Sequence, residues 1–264
     1  MAYKSKRKVN LEEEYFSSRF IPGDEQEAIA NLERLFTSSP TSMTQKLSNF
    51  TNWVRHRDIA RFIFKYEIFQ KVLHIPGSII ECGVLYGGGL TTWFHLSEIY
   101  EPANFSRRII GFDTFEGFPS VSKADLPFKG GDKFRYQKGH FDVSHWESTL
   151  REVLTNLENT RRISQVKRME LVKGDVSKTI KPFVDKDPSL IISLLYLDMD
   201  LYQPTLAALD ACLPRMPKGS IIVFDEMACV DWPGESKAML DRFDLNRYEL
   251  RRSPIVPHIG YLTL

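Results

Sequence analysis

The chain has 264 residues, 42% of them hydrophobic and 26% charged, enough apolar content to bury a sizeable core without disulfide or metal staples. Its 35 Lys and Arg nearly balance its 34 Asp and Glu, for a formal charge of +1; no electrostatic footprint for nucleic acid or an anionic membrane stands out, and a small molecule or a protein is the expected partner. The three cysteines, Cys82, Cys212 and Cys229, form neither a CxxC pair nor the even set of a disulfide framework, which favours a reducing cytoplasm.

The N-terminal stretch carries Lys4, Lys6, Arg7 and Lys8, but acidic Glu12 to Glu14 follow where a secretory signal would place an apolar run. No apolar run approaches the roughly 20 residues of a membrane span. Residues 1 to about 48 read as an N-terminal arm, in which Ile29, Leu32 and Leu35 recur at the spacing of a short amphipathic helix. Residues 49–264 read as one domain. It opens with a core-packed helix from Phe50 to Leu73, apolar at Trp53, Val54, Ile59, Phe62, Ile63, Tyr66, Phe69 and Val72 and ended by Pro76 and Gly77.

Short apolar runs then alternate with helical patterns. Ser78 to Cys82, Arg108 to Phe112, Met169 to Lys173, Leu190 to Leu197 and Ser220 to Phe224 read as strands, and their two-sided apolarity suits a parallel sheet covered by helices. Arg247 to Arg252 and Ile259 to Leu264, with Pro254 and Pro257 between them, read as a terminal antiparallel pair. The sum is an α/β fold: a seven-stranded, mostly parallel sheet with helices on both faces, the Rossmann-like arrangement of class I methyltransferases. Fold alone does not establish chemistry.

The first strand runs into Glu81-Cys82-Gly83-Val84-Leu85-Tyr86-Gly87-Gly88-Gly89. Glycines at a strand-to-helix turn let backbone N–H groups approach a ligand closely. The P-loop lysine is missing and the spacing is not GxGxxG, so Glu81 with Gly83, Val84, Tyr86, Gly87 and Gly88 suits an amine-bearing ligand such as the methionine part of S-adenosylmethionine (SAM); a plain tight turn is the structural alternative. The second strand ends at Asp113-Thr114, where a carboxylate accepts from ribose hydroxyls or caps the next turn. Asp175 follows the third strand, beside an adenine edge or as a helix N-cap.

The most specific signal is the pair of acidic strand ends, Asp198-Met199-Asp200 after the fourth strand and Asp225-Glu226 after the fifth. In a parallel sheet these ends line one crevice. Asp198, Asp225 and Glu226 side by side would repel, and a hard cation such as Mg²⁺ relieves that cost while holding substrate hydroxyls. The alternative is that some of them pair with Lys or Arg or cap helices, most of all Asp200.

Across residues 75 to 235 the chain resembles the macrocin-type sugar O-methyltransferases of natural-product pathways. The resemblance runs through the E-x-G-V-x-x-G-G turn at Glu81, the segment from Asp113 to Pro119, the segment from Asp198 to Thr205 and the paired acids at Asp225. It implies SAM as donor, a divalent metal held by Asp198, Asp225 and Glu226, and methylation of a sugar hydroxyl. The chain departs from many relatives in carrying Asp-Glu for Asp-Asp, and Met199 where glycine is common.

Residues 120 to 165 form a long insertion, rich in Phe, Lys, Asp and His, and loops of this length are functional or disordered. Phe128 to Trp146 is expected to form part of a lid over the acceptor. His140 is a candidate base or substrate contact, with a plain surface histidine as its alternative, and Asp198 is the candidate for a ligand that also takes the proton. Trp232-Pro233-Gly234-Glu235 is a further candidate acceptor wall. Aromatics such as Phe16, Phe20 and Trp146 would leave apolar patches needing cover, so a homo-oligomer is expected. The competing readings are a catechol-type metal-dependent O-methyltransferase and a non-catalytic SAM-binding scaffold.

Overall fold

The computed structural model describes residues 23–128 and 135–264. Phe16, Phe20, the four N-terminal basic residues and positions 129–134 of the expected lid lie outside the described residues. The chain divides into two compact units, residues 1–59 and 60–264, and the division falls inside one helix.

In the first unit, helix α1 (Gly23–Ser38) is followed by the short α2 (Met43–Ser48). Ser42 opens α2 with a capping box: its hydroxyl accepts from Gln45 N–H at 3.2 Å and the Gln45 side chain returns the contact to Ser42 N–H at 2.9 Å. The Lys46 ammonium donates to the Phe36 carbonyl and sits 4.8 Å from the centre of the Phe36 ring, whose edge meets Trp53. A buried lysine is tolerated here because both its charge and its N–H groups find partners.

The expected long helix from Phe50 is shorter: a 3₁₀ turn at Phe50–Asn52 precedes α3 (His56–Val72). The second unit holds most of α3 and all seven strands: β1 (Ser78–Cys82), β2 (Ile109–Asp113), β3 (Met169–Lys173), β4 (Ile192–Leu197), β5 (Ile221–Phe224), β6 (Leu250–Arg252) and β7 (Gly260–Thr263). Its remaining helices are α4 (Gly88–Tyr100), α5 (Glu147–Asn159), α6 (Val176–Lys186), α7 (Tyr202–Cys212) and α8 (Gly234–Arg242). The sheet order is β3-β2-β1-β4-β5-β7-β6, parallel except that β7 runs against both β5 and β6. The seven expected strands are therefore present, with the terminal pair antiparallel as the prolines implied.

Alternation sorts the strand residues between two faces. Ile80, Cys82, Ile110, Phe112, Leu195, Leu197, Ile222 and Phe224 share one buried cluster with α6, α7 and α8. Their neighbours Glu81 and Tyr196 face Lys65 of α3 and Trp93 of α4. Register does the positioning: Cys82 pairs with Leu197 and Leu197 with Phe224, so Gly83, Asp198 and Asp225 all occupy the first position beyond the sheet. Asp198 N–H reaches back to the Cys82 carbonyl, and Asp225 N–H to that of Leu197, each at 2.9 Å.

The insertion is less of an open loop than its composition suggested, since it contains a 3₁₀ turn at Lys123–Asp125 and all of α5. Among the described residues no helix is long and apolar enough to cross a membrane.

Candidate active site at the strand ends

The turn after β1 is built by backbone rather than by charge. Gly83 adopts φ +90°, and a Cβ on it would overlap the Asp198 carbonyl, so only glycine lets the first and fourth strand ends touch. Asp113 holds the turn from the other side: its Oδ2 accepts from Val84 and Leu85 N–H, both at 2.7 Å, and its Oδ1 from Phe115 N–H at 2.7 Å. Thr114 turns away, donating its hydroxyl to the Gly117 carbonyl at 2.7 Å. The Trp146 indole donates to the Tyr86 carbonyl at 3.1 Å, which ties the insertion to the glycine turn. Gly87 is the left-handed N-cap of α4, and Gly88 opens that helix.

Glu81 differs from expectation. It was read as facing a cationic ligand, yet it is buried at 2% exposure, accepts from the Trp93 indole and lies 4.0 Å from the Lys65 ammonium. The fold thus supplies its cation, because Lys65 projects from the buried stripe Phe64, Lys65, Ile68, Phe69 and Val72 of α3. Burial pulls the Lys65 pKa down while the Glu81 carboxylate pulls it up; its ammonium also rests over the Tyr196 and Trp93 rings. Asp175 caps α6 by accepting from Ser177 N–H at 3.0 Å, and Lys178 stands 3.4 Å from its other oxygen.

The acids beyond β4 and β5 meet, but not as the expected trio. Asp225, buried at 1% exposure, receives Arg61 in a two-pronged pair at 2.8 and 3.1 Å and the Tyr196 hydroxyl as a third donor. The alternative in which an acid of the trio pairs with Arg holds for Asp225: Arg61, one helical turn before Lys65, reaches it across 164 positions of sequence. Burial pushes the Asp225 pKa upward, but the charge and hydrogen bonds of Arg61, with the Tyr196 hydroxyl, outweigh it and hold the carboxyl low. Among the described residues, the group whose ligand atoms lie within 4.8 Å of one another is Asp225, Glu226 and His258, with His258 rather than Asp198 as the third member. His258 Nε2 is also 3.4 Å from Arg61, and burial keeps its imidazole below the ordinary histidine pKa.

Asp198 and Asp200 sit beside this group. Burial, and then the Asp225 charge, raise the Asp198 pKa well above the carboxylate range; burial and Glu226 do the same to Asp200. Glu226 is pushed up to about 7 by burial and the neighbouring Asp225. Asp200 also has φ +62°, an uncommon conformation for a residue with a side chain. Glu235, read from sequence as a candidate acceptor wall, is instead fully buried, and burial raises its pKa to about 8 although backbone N–H groups bond to it.

His140 is not a surface residue. It is 3% exposed and packs among Phe141, Phe118 and Trp232 at centroid distances of 4.2, 5.6 and 6.1 Å. Tyr136 adds a ring 4.9 Å from Trp232 and donates its hydroxyl to the Asp231 carbonyl near the paired acids. Arg61, Lys65, Tyr196 and His258 were not singled out from sequence as site residues; the one available signal was a pair of basic residues, Arg61 and Lys65, at i and i+4 on an otherwise apolar helix face.

A glycine turn after β1, an acid closing β2, acids beyond β4 and β5 and a sheet whose last strand runs backward together define a class I methyltransferase. The chain belongs to the macrocin O-methyltransferase (TylF) family, whose model matches residues 66–247. It is similar to CalS11, calicheamicin methyltransferase, at 35% identity and a TM-score of 0.87 over 99% of each chain. The apo structure of CalS11, TDP-rhamnose 3′-O-methyltransferase, an enzyme in calicheamicin biosynthesis, matches at 33% identity and a TM-score of 0.79, over 95% of this chain and 97% of that one. The 8-demethyl-8-(2,3-dimethoxy-α-L-rhamnosyl)-tetracenomycin-C 4′-O-methyltransferase of Streptomyces olivaceus is 25% identical over 154 residues, 58% of this chain and 54% of that protein. The match therefore spans about half the length of this curated relative.

Proposed function

We propose that the chain transfers the methyl group of SAM to a hydroxyl of a deoxyhexose, nucleotide-linked or carried on a natural-product glycoside, with a divalent cation such as Mg²⁺ at the β4 and β5 ends. The observation that carries this reading is the crowd of carboxylates there: Asp198, Asp200 and Glu226 all have raised pKa values and surround Asp225, which is paired with Arg61. Such a crowd costs stability unless a ligand relieves it. The donor set fits a cation, with oxygens from Asp225 and Glu226, a neutral nitrogen from His258 and Asp198 alongside, provided Arg61 shares or releases Asp225. A bound divalent ion would supply orientation of neighbouring hydroxyls and a lowered hydroxyl pKa.

The chain's own residues divide the remaining work. The Val84 to Gly88 turn, shaped by Asp113, presents backbone N–H groups to the donor. Asp113 Oδ1 accepts from Phe115 N–H and keeps capacity for a ribose hydroxyl. Asp198, made more basic than an ordinary aspartate by burial and the Asp225 charge, accepts the acceptor hydroxyl's proton. Phe141 and Tyr136, partly buried against the Phe118 and Trp232 cluster, offer flat faces to a sugar ring. Assembly as a homo-oligomer belongs to the same proposal: Tyr66 and Tyr100 lie 6.0 Å apart with 37% and 43% exposure.

Thermal shift and methyl-transfer assays test the reading together. SAM should raise the melting temperature, as a ligand at 100-fold excess over Kd contributes about 2.7 kcal/mol, and label should pass from SAM to a nucleotide-linked 6-deoxyhexose or a rhamnosyl glycoside. A shift with NAD and none with SAM would sink the methyltransferase proposal. Transfer to catechol but to neither sugar would redirect the acceptor.

A further inference from the structure

Glu235 stands at the start of α8, with no part in the proposed reaction so far, and has no exposed surface. Its Oε1 accepts from Met199 N–H at 2.8 Å and from Asp200 N–H at 3.1 Å, and its Oε2 accepts from Glu226 N–H at 3.1 Å. One carboxylate therefore satisfies three backbone donors on two loops. Met199 and Asp200 belong to the loop beyond β4, and Glu226 to the loop beyond β5.

Neighbouring structure reinforces the contact. Gly234 packs so closely that a Cβ there would lie within 2.6 Å of the Asp200 carbonyl, the Asp125 carboxylate and Tyr202 N–H. Asp125, itself buried, accepts from Tyr202 N–H at 2.6 Å and from Ser122 N–H and hydroxyl at 2.6 Å. The loop from Asp198 to Tyr202 is thus held at the amides of Met199, Asp200 and Tyr202, and Asp200 keeps its left-handed backbone within it. A residue in such a conformation persists only where its surroundings over-determine it.

We infer that Glu235 is a positioning residue: by clamping the β4 and β5 loops to each other it presents Asp198 and Asp200 together with Glu226 as one unit. The inference rests on the reading of those acids as the reaction site. The chemistry is demanding of residue type. In Glu235→Gln the shape is kept, but one of the two oxygens becomes an NH₂ that faces a backbone N–H, so at least one loop loses its acceptor.

The test compares wild type with Glu235→Gln by hydrogen exchange resolved at residues 199, 200 and 226, and by steady-state kinetics. In wild type the three amides should open with one common protection. In the variant both loops should exchange roughly tenfold to hundredfold faster, as expected when a buried amide loses its acceptor, while amides of the Val84 to Gly88 turn keep their rates. Turnover should fall by a similar factor or more with KM for SAM within about twofold. Turnover within twofold of wild type, or loosening confined to one loop, overturns the inference. Should the variant fail to fold, unequal protection of the two loops in wild type overturns it as well. A wild type that transfers no methyl group while Glu235→Gln still loosens both loops removes the proposed reaction and leaves the clamp standing.

Discussion

The two halves of the crevice treat their acids differently. At the ends of β1 and β2 each carboxylate has partners supplied by the fold: Glu81 has Lys65 and the Trp93 indole, and Asp113 has three backbone N–H groups. At the ends of β4 and β5 the fold pairs Asp225 with Arg61 and Tyr196, while burial and then neighbouring acids raise the rest: the Asp225 charge acts on Asp198 and Glu226, and the Glu226 charge on Asp200. Buried acids satisfied from within shape a backbone cradle. Buried acids left in mutual repulsion lower stability and favour whatever positive ligand enters. In the proposed reaction the first half is the pre-shaped donor cradle, and the second is where the chemistry is placed.

The largest effect that would break this contrast is expected at Asp198. Asp198→Asn keeps the shape and removes a charge and a proton acceptor, so methyl transfer should fall roughly 10²- to 10⁴-fold while SAM binding by calorimetry is retained. Titrating metal against the variant sharpens the assignment: rescue at high metal makes Asp198 a ligand only, and persistent inactivity with metal bound makes it the base as well. Equal loss of SAM affinity would place Asp198 in the donor half instead.

Next comes Arg61. Arg61→Met strands the buried Asp225, and breaking a fully buried pair costs about 3–5 kcal/mol. Arg61 is itself 35% exposed, so solvent screening trims the expected loss to about 2–3 kcal/mol in denaturant unfolding. Added Mn²⁺ should return much of that stability in the variant, more than it adds to wild type. Equal gains in the two proteins would mean that Arg61 and the cation do not compete.

The same crowding predicts a pH dependence. Glu226 and Glu235 have native pKa values of about 7 and about 8, against 4.5 for the ordinary side chain, so between those limits the native state binds more protons than the unfolded one. Stability without metal is then fullest below about pH 4.5 for these groups and declines as pH rises toward 8. Asp225 acts in the opposite sense, since its lowered pKa contributes stability above the ordinary 3.8 that is lost on acidification. Melting temperatures from pH 5 to 8 should fall without Mg²⁺ and flatten with it; a flat profile in both would show that the acids are compensated already.

The smallest effect belongs to Asp175. Removing an N-cap costs about 1 kcal/mol, so Asp175→Ala should lower stability by that amount with SAM affinity nearly unchanged. A tenfold weaker Kd for SAM, with little loss of stability, would return Asp175 to the adenine edge.

Much of this was legible in sequence, because strands buried on both faces announce themselves as short apolar runs, and parallel topology brings their C-terminal ends to one edge. The positions of Glu81, Asp113, Asp198, Asp225 and Glu226 at that edge follow from strand ends alone. Asp175 could be read either as an adenine contact or as a cap, and local hydrogen bonding to Ser177 displays the cap. His140, taken as a loop residue, lies in an aromatic core whose other members come from beyond β2 and β5, and no local pattern connects those segments.

The sequence by itself determined the strands, the glycine turn and which acids crown which strand, since each depends on neighbours within a few positions. Tertiary structure alone decided which of those acids are compensated. Arg61 meets Asp225, Lys65 meets Glu81 and Glu235 meets three amides of two loops, and each meeting is set by how α3 and α8 pack against the sheet edge. Charge acts through space and falls off with distance, whereas the separation along the chain that hides such partners from a reader of sequence has no bearing on the energy.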